Sequence, residues 1–98
     1  SLPFDYDAKA LKQLSADGKH VLRGVAQALA LVEPFKAEQI DAALRGYAEE
    51  HAIKLGQVAQ PLRAAMTGST VSPGIDLTLE ALGRDEVLAR IGAAITHG

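Results

Sequence analysis

A chain of 98 residues, 48% hydrophobic but only 4% aromatic, can build one core and not two, and its Ala- and Leu-rich composition favours helices over strands. Without cysteine it can hold neither a disulfide nor a thiolate metal site, and His20, His51 and His97 lack the spacing of a zinc centre. A net charge of −2 excludes an overall basic character, and no apolar run reaches the ~20 residues that span a bilayer.

The first helical pattern runs from Asp7 to Leu14, with Ala8, Leu11 and Leu14 on one stripe and Lys9 and Lys12 outside it. Asp17-Gly18 punctuates it. From Lys19 to Val32, the positions Val21, Leu22, Val25, Leu29 and Val32 recur at helical spacing until Pro34 stops the element. Between Lys36 and His51 the stripe Ile40, Ala43, Leu44, Tyr47 and Ala48 opposes Glu38, Asp41, Arg45, Glu49 and Glu50, an amphipathic helix.

A fourth pattern carries Leu55, Val58, Ala59, Leu62, Ala65 and Met66 inward and Gln57, Gln60 and Arg63 outward. Pro61 in its middle predicts a kink or a restart near Gln60, because proline removes one ladder hydrogen bond and crowds the preceding turn. Gly68 supplies its end. Ser72-Pro73 predicts the next start, with Ser as N-cap and Pro at the first helical position. That fifth helix reaches Leu82 and stops at Gly83. Asp85 is placed to cap a sixth, with Val87, Leu88, Ile91, Ala94 and Ile95 inward. The expected fold is therefore all-α, a compact bundle of about six short helices, with Leu44, Tyr47, Val58, Leu62, Leu88 and Ile91 in its core.

No catalytic constellation emerges. Thr67, Ser69, Thr70 and Ser72 offer hydroxyls, but none has a base and an oxyanion site beside it. The run Thr67-Gly68-Ser69-Thr70 lacks the glycine spacing and the lysine of a phosphate loop. Glu49-Glu50 and Asp85-Glu86 fall on a solvated face and at a helix start. No signal-like segment opens the chain, so a cytoplasmic setting is expected.

The distribution of charge says more than its sum. From His51 to Ile75 there is no Asp or Glu, while Lys54 and Arg63 lie inside that window. Such a stretch in an acidic chain suits a face laid against a polyanion. Gln60 and Arg63 lie one helical turn apart and project together, the arginine fork matching a phosphate or a base edge. An exposed N-terminus of the fifth helix at Ser72–Gly74 would favour an anion or a base carbonyl, with Ile75 as an apolar tip for unstacked RNA bases. The alternative is a helical protein–protein interaction module in which the same stretch is only a helix joint with a solvated Arg63.

The run from Lys54 to Ile91 resembles the end of bacterial glutamyl-tRNA synthetases, which are class I aminoacyl-tRNA synthetases. The matching residues are Gln60-Pro61-Leu62-Arg63, Thr67-Gly68-Ser69, Ser72-Pro73-Gly74 and Leu79-Glu80-Ala81-Leu82-Gly83. Tyr6-Asp7 with Lys9-Ala10, and residues 48–56, look like family sequence too, so the likeness covers essentially the whole chain. Met66 stands where the family has Leu, and Asp76 where it often has an aromatic. The resemblance implies a C-terminal anticodon-binding helical domain over residues 1–98, without the catalytic domain and with no metal or cofactor of its own. It implies a longer enzyme that attaches glutamate to tRNA(Glu) using ATP with magnesium. The partners it implies are the anticodon loop of tRNA(Glu) and the catalytic and upstream helical domains of the same chain, in a monomer with no membrane contact. The positions it carries over as anticodon-binding are Gln60, Arg63, Thr70, Ser72, Pro73 and Ile75.

Overall fold

The computed structural model describes residues 2–98, and these form six α-helices and no strand: α1 (Ala8–Gln13), α2 (Ala16–Ala30), α3 (Ala37–Glu50), α4 (Leu55–Thr67), α5 (Ile75–Leu82) and α6 (Arg84–Thr96). The all-α bundle expected from composition and periodicity is the observed architecture. Among the described residues, no helix is long and apolar enough to cross a membrane.

Local chemistry sets most of the boundaries. The Asp7 carboxylate accepts from the Ala10 amide at 2.8 Å and starts α1. Ser15 Oγ accepts from the Gly18 amide at 3.3 Å and starts α2. Asp17-Gly18 therefore lies inside the first turn of α2 and is not the break expected from sequence. Glycine is required there for another reason: a Cβ at Gly18 would collide with the backbone carbonyl of Gln13 as α1 passes. In α1 itself, Ala10 and Leu14 face inward, whereas Ala8 and Leu11 are exposed. Six residues are too few for periodicity to fix a face.

Helix α4 is the hub, packed against every other helix. Val58, Ala59, Pro61, Leu62, Ala64, Ala65 and Met66 are all buried. Pro61 does not restart the helix, which runs unbroken from Leu55 to Thr67. The carbonyl deprived of its donor is that of Gln57, an exposed residue that water can reach. Around α4, Leu22, Val25, Leu29, Ile40, Leu44, Leu79, Val87 and Ile91 complete the core. Leu88, expected with them, is only half-buried, because Val87 and Ile91 already occupy the inner face of α6.

Two interactions from the last helices pin the chain between α2 and α3. No side chain of its own caps α3, and Glu80 of α5 does so instead, its Oε2 accepting from the Ala37 amide at 2.8 Å. The Arg84 guanidinium donates to the Val32 carbonyl, pairs with Glu33 at 3.2 Å and lies over the Phe35 ring. The Asp85 cap expected for α6 is not formed: Gly83 is the N-cap, and Asp85 sits in the first turn, where its charge favours the helix dipole.

Removing the central apolar side chain of the hub should be costly. Leu62→Ala is expected to lose ~2–5 kcal/mol through the transfer and cavity terms, seen as a lower denaturant midpoint at unchanged slope. A second test is pH-dependent. The Tyr6 hydroxyl is buried with no hydrogen-bond partner among the described residues, and burial raises its pKa from the ordinary 10.0. The folded state thus keeps a proton that the unfolded chain releases. Its contribution to stability is complete below pH 10.0 and is lost as the pH rises through the higher folded value. Tyr6→Phe should be neutral or slightly stabilising at neutral pH, and its melting temperature should fall less steeply than that of the wild type in alkali.

Candidate nucleic-acid interface

Because α4 is buried on nearly every side, only a narrow part of it meets solvent. Beyond its first residue, Gly56, Gln57, Gln60, Arg63 and Thr67 are the positions not fully buried, and Gly56, Gln60, Arg63 and Thr67 fall at i, i+4, i+7 and i+11. Arg63 carries the only formal charge on this stripe. Arg45, Arg84 and Arg90 are each tied to a carboxylate, whereas the Arg63 guanidinium makes no hydrogen bond or ion pair among the described residues. Gln60 is half-buried, with its Oε1 wholly enclosed and without a partner among the described residues. The amide end of that side chain is therefore its free hydrogen-bonding end.

The stripe leads directly into the connection between α4 and α5. Gly68 ends α4 in the left-handed region at φ 74°, its amide donating to the Ala64 carbonyl at 2.9 Å. A Cβ here would also strike the Asp5 carbonyl and the Phe4 ring. Hydroxyls organise the next residues. Thr67 Oγ1 lies 3.0 Å from the Arg63 carbonyl and 3.2 Å from that of Ser69, and accepts from the Ser69 amide at 3.3 Å. Ser69 Oγ in turn accepts from the Val71 amide at 3.1 Å. These short local bonds hold a connection that has no ladder of its own.

Thr70 and Ser72 are half-buried, and Pro73 and Gly74 are exposed. Ser72 is not the N-cap of α5. Its hydroxyl donates to the Pro73 carbonyl at 3.0 Å, and Gly74 precedes a helix that begins at Ile75, so Pro73 stands outside the helix. The helix starts two residues later than expected, because Ser-Pro serves equally well in a bend outside a helix, as it does here. Asp76 accepts from the Leu77 amide at 2.9 Å in the first turn.

Ile75 is also displaced from its expected role. It is 8% exposed and joins the core with Leu79 rather than forming an apolar tip. The apolar side chains that do reach solvent are Val71, 81% exposed, and Leu77, 55% exposed, on either side of Ser72–Gly74. Sequence carried a signal for this: Ile75, Leu79 and Leu82 fall at i, i+4 and i+7, and Leu77 lies off that stripe.

Gln60 and Arg63 thus lie on the open stripe of α4, Thr70, Ser72 and Pro73 lie in the connection that follows it, and Ile75 is buried at the start of α5. No Asp or Glu occurs in the chain between His51 and Ile75, which includes α4 and the whole connection. Such a surface, with an unpaired guanidinium, an amide, hydroxyls and small apolar patches, offers edge-reading groups and contact area for unstacked bases.

Comparison with known proteins gives the family and the fold. A sequence model of the anticodon binding domain matches residues 1–95. The chain is 63% identical over 98 residues to glutamate–tRNA ligase 1 of Gluconobacter oxydans, covering 100% of this chain and 21% of that protein. It is 62% identical over 92 residues to glutamate–tRNA ligase 1 of Gluconacetobacter diazotrophicus, covering 94% of this chain and 20% of that one. The crystal structure of a glutamate tRNA ligase from Elizabethkingia meningosepticum superposes with a TM-score of 0.88 at 29% identity, over 97% of this chain and 19% of that chain. The chain spans about a fifth of the length of these relatives. It is, by family and by fold, an anticodon-binding domain.

Proposed function

We propose that the domain reads the anticodon loop of tRNA(Glu), and that it does so as the C-terminal part, residues 1–98, of a glutamate–tRNA ligase. In that reading the remainder of the enzyme binds ATP with magnesium and forms the ester between glutamate and tRNA. The domain's partners are then the RNA and the upstream domains of the same monomeric, cytoplasmic chain. The observation that carries the proposal is Arg63: a guanidinium without a partner among the described residues, on the one open stripe of the central helix that leads into the Thr70–Pro73 connection.

Each residue has a distinct task. Arg63 donates to a base edge or a phosphate, and Gln60 offers its amide N–H groups to a base acceptor. Thr70 and Ser72 present hydroxyls, which can donate or accept, and Pro73 supplies a rigid apolar face. Ile75 supports that face from within. Val71 and Leu77 take over the exposed apolar contact that sequence gave to Ile75.

Arg63→Ala should weaken binding to an anticodon stem-loop by roughly 1–3 kcal/mol. Stability should change by no more than about 0.5 kcal/mol, since the side chain has no partner to lose. Titration by fluorescence anisotropy and thermal melting separate the two effects. A destabilised variant that binds RNA normally would make the arginine structural and favour the joint-only reading. A companion comparison tests the corrected geometry. Leu77→Ala should cost about 1 kcal/mol of RNA binding with little loss of stability, whereas Ile75→Ala should destabilise by ~2–5 kcal/mol as a core truncation. With few cations on this strip, the logarithm of affinity should fall with the logarithm of salt by about 0.7 for each phosphate contacted, in total for two or three phosphates only.

A further inference from the structure

The root of the reading surface is held by a residue that lies outside it. Arg90, in the middle of α6, has a side chain only 15% exposed. Its Nη1 donates to the Met66 carbonyl at 2.7 Å, its Nε pairs with Glu86 at 2.6 Å, and the guanidinium lies 5.4 Å from the centre of the Phe4 ring. Met66 is the penultimate residue of α4, so its carbonyl is among those left without a donor at the helix end. The same few residues are gripped from the opposite end of the chain. The Asp7 amide donates to the Gly68 carbonyl at 2.8 Å, and Phe4 and Asp5 pack so closely on Gly68 that no Cβ fits.

From this geometry we infer that Arg90 is a positioning residue for RNA recognition, fixing the exit of α4 so that Thr70–Pro73 stays aligned with Gln60 and Arg63. The inference rests on the anticodon reading above. Arginine suits the task because one planar fork serves a carbonyl, a carboxylate and a ring face at once, which an ammonium cannot do. Its target follows from the position of the bond. Releasing Met66 frees the last turn of α4, and with it the start of the loop, but leaves the Leu22, Leu44 and Ile91 core intact. A loop ordered before it meets a single-stranded RNA spends less binding free energy on being ordered during the encounter.

The test uses the 98-residue chain with Arg90→Met, which keeps the stem but not the donors, and Arg90→Lys, which keeps the charge. Amide exchange at Asp7, Gly68 and Val71 is compared with that at Val25 and Leu44, alongside affinity for an anticodon stem-loop RNA. Arg90→Met should speed exchange at the first three amides by about tenfold, the worth of one hydrogen bond from a charged donor, and leave the core pair unchanged. Its RNA dissociation constant should rise by a similar factor, and Arg90→Lys should recover part of both losses. Uniformly faster exchange would reduce Arg90 to a general stabiliser and overturn the inference. So would unchanged exchange at the junction, or a loosened junction that binds RNA as tightly as the wild type. A wild-type chain indifferent to the RNA would sink the anticodon reading, and the positioning role with it. Tight wild-type binding with an indifferent Arg90→Met sinks the positioning role alone.

Discussion

The burial of α4 is the constraint from which the rest of the domain follows. A helix that packs against five others must present small or shape-matched side chains in almost every direction. Ala59, Ala64 and Ala65 allow close approach, while Val58, Leu62 and Met66 fill the spaces between neighbours. A single strip escapes, and polar residues on α4 beyond its first turn are confined to it. Gln60 and Arg63 therefore share a face because the other faces are taken, and their alignment needs no dedicated kink at Pro61.

The same packing accounts for the unusual chemistry of the connection that follows. Two helix ends must meet within a few residues, in the open, without a ladder of backbone bonds. Each unusual residue answers one requirement of that passage. Gly68 permits a left-handed turn beneath Asp5, Thr67 and Ser69 substitute hydroxyls for ladder partners, and Pro73 sits in the bend that turns the chain before Gly74 opens α5. Arg90 and the Asp7 amide then satisfy carbonyls that the end of α4 leaves over. The groups that keep this passage ordered leave the edges of its other residues free, as the proposed recognition requires.

The helices themselves were legible from periodicity. Leu44, Tyr47, Val58, Leu62 and Ile91 are in the core where the stripes placed them. Reading failed where local chemistry is ambiguous. Asp17-Gly18 has the look of a turn, but its glycine answers to the Gln13 carbonyl of another helix. Ser72-Pro73 has the look of a helix start, yet the same dipeptide serves a bend outside the helix. Ile75 follows directly on the expected exposed helix N-terminus at Ser72–Gly74 and so has the look of a tip, although its spacing to Leu79 and Leu82 points inward. Glu80, which caps α3 from 43 residues away, and Arg90, which holds α4 from 24 residues away, were not legible at all. Both act across sequence distances at which neither propensity nor pattern carries a signal.

The central claim is that the open stripe of α4 and the connection beyond it form one RNA-reading surface. Titrating the isotope-labelled domain with an anticodon stem-loop of tRNA(Glu), and following its amide and side-chain NMR signals, tests that most directly. The account predicts shifts concentrated at Gln60, Arg63 and residues 67–77, including the Arg63 guanidinium, with the α2–α3 side of the bundle silent. Shifts confined to that other side, around Leu31, Tyr47 and His51, would contradict it.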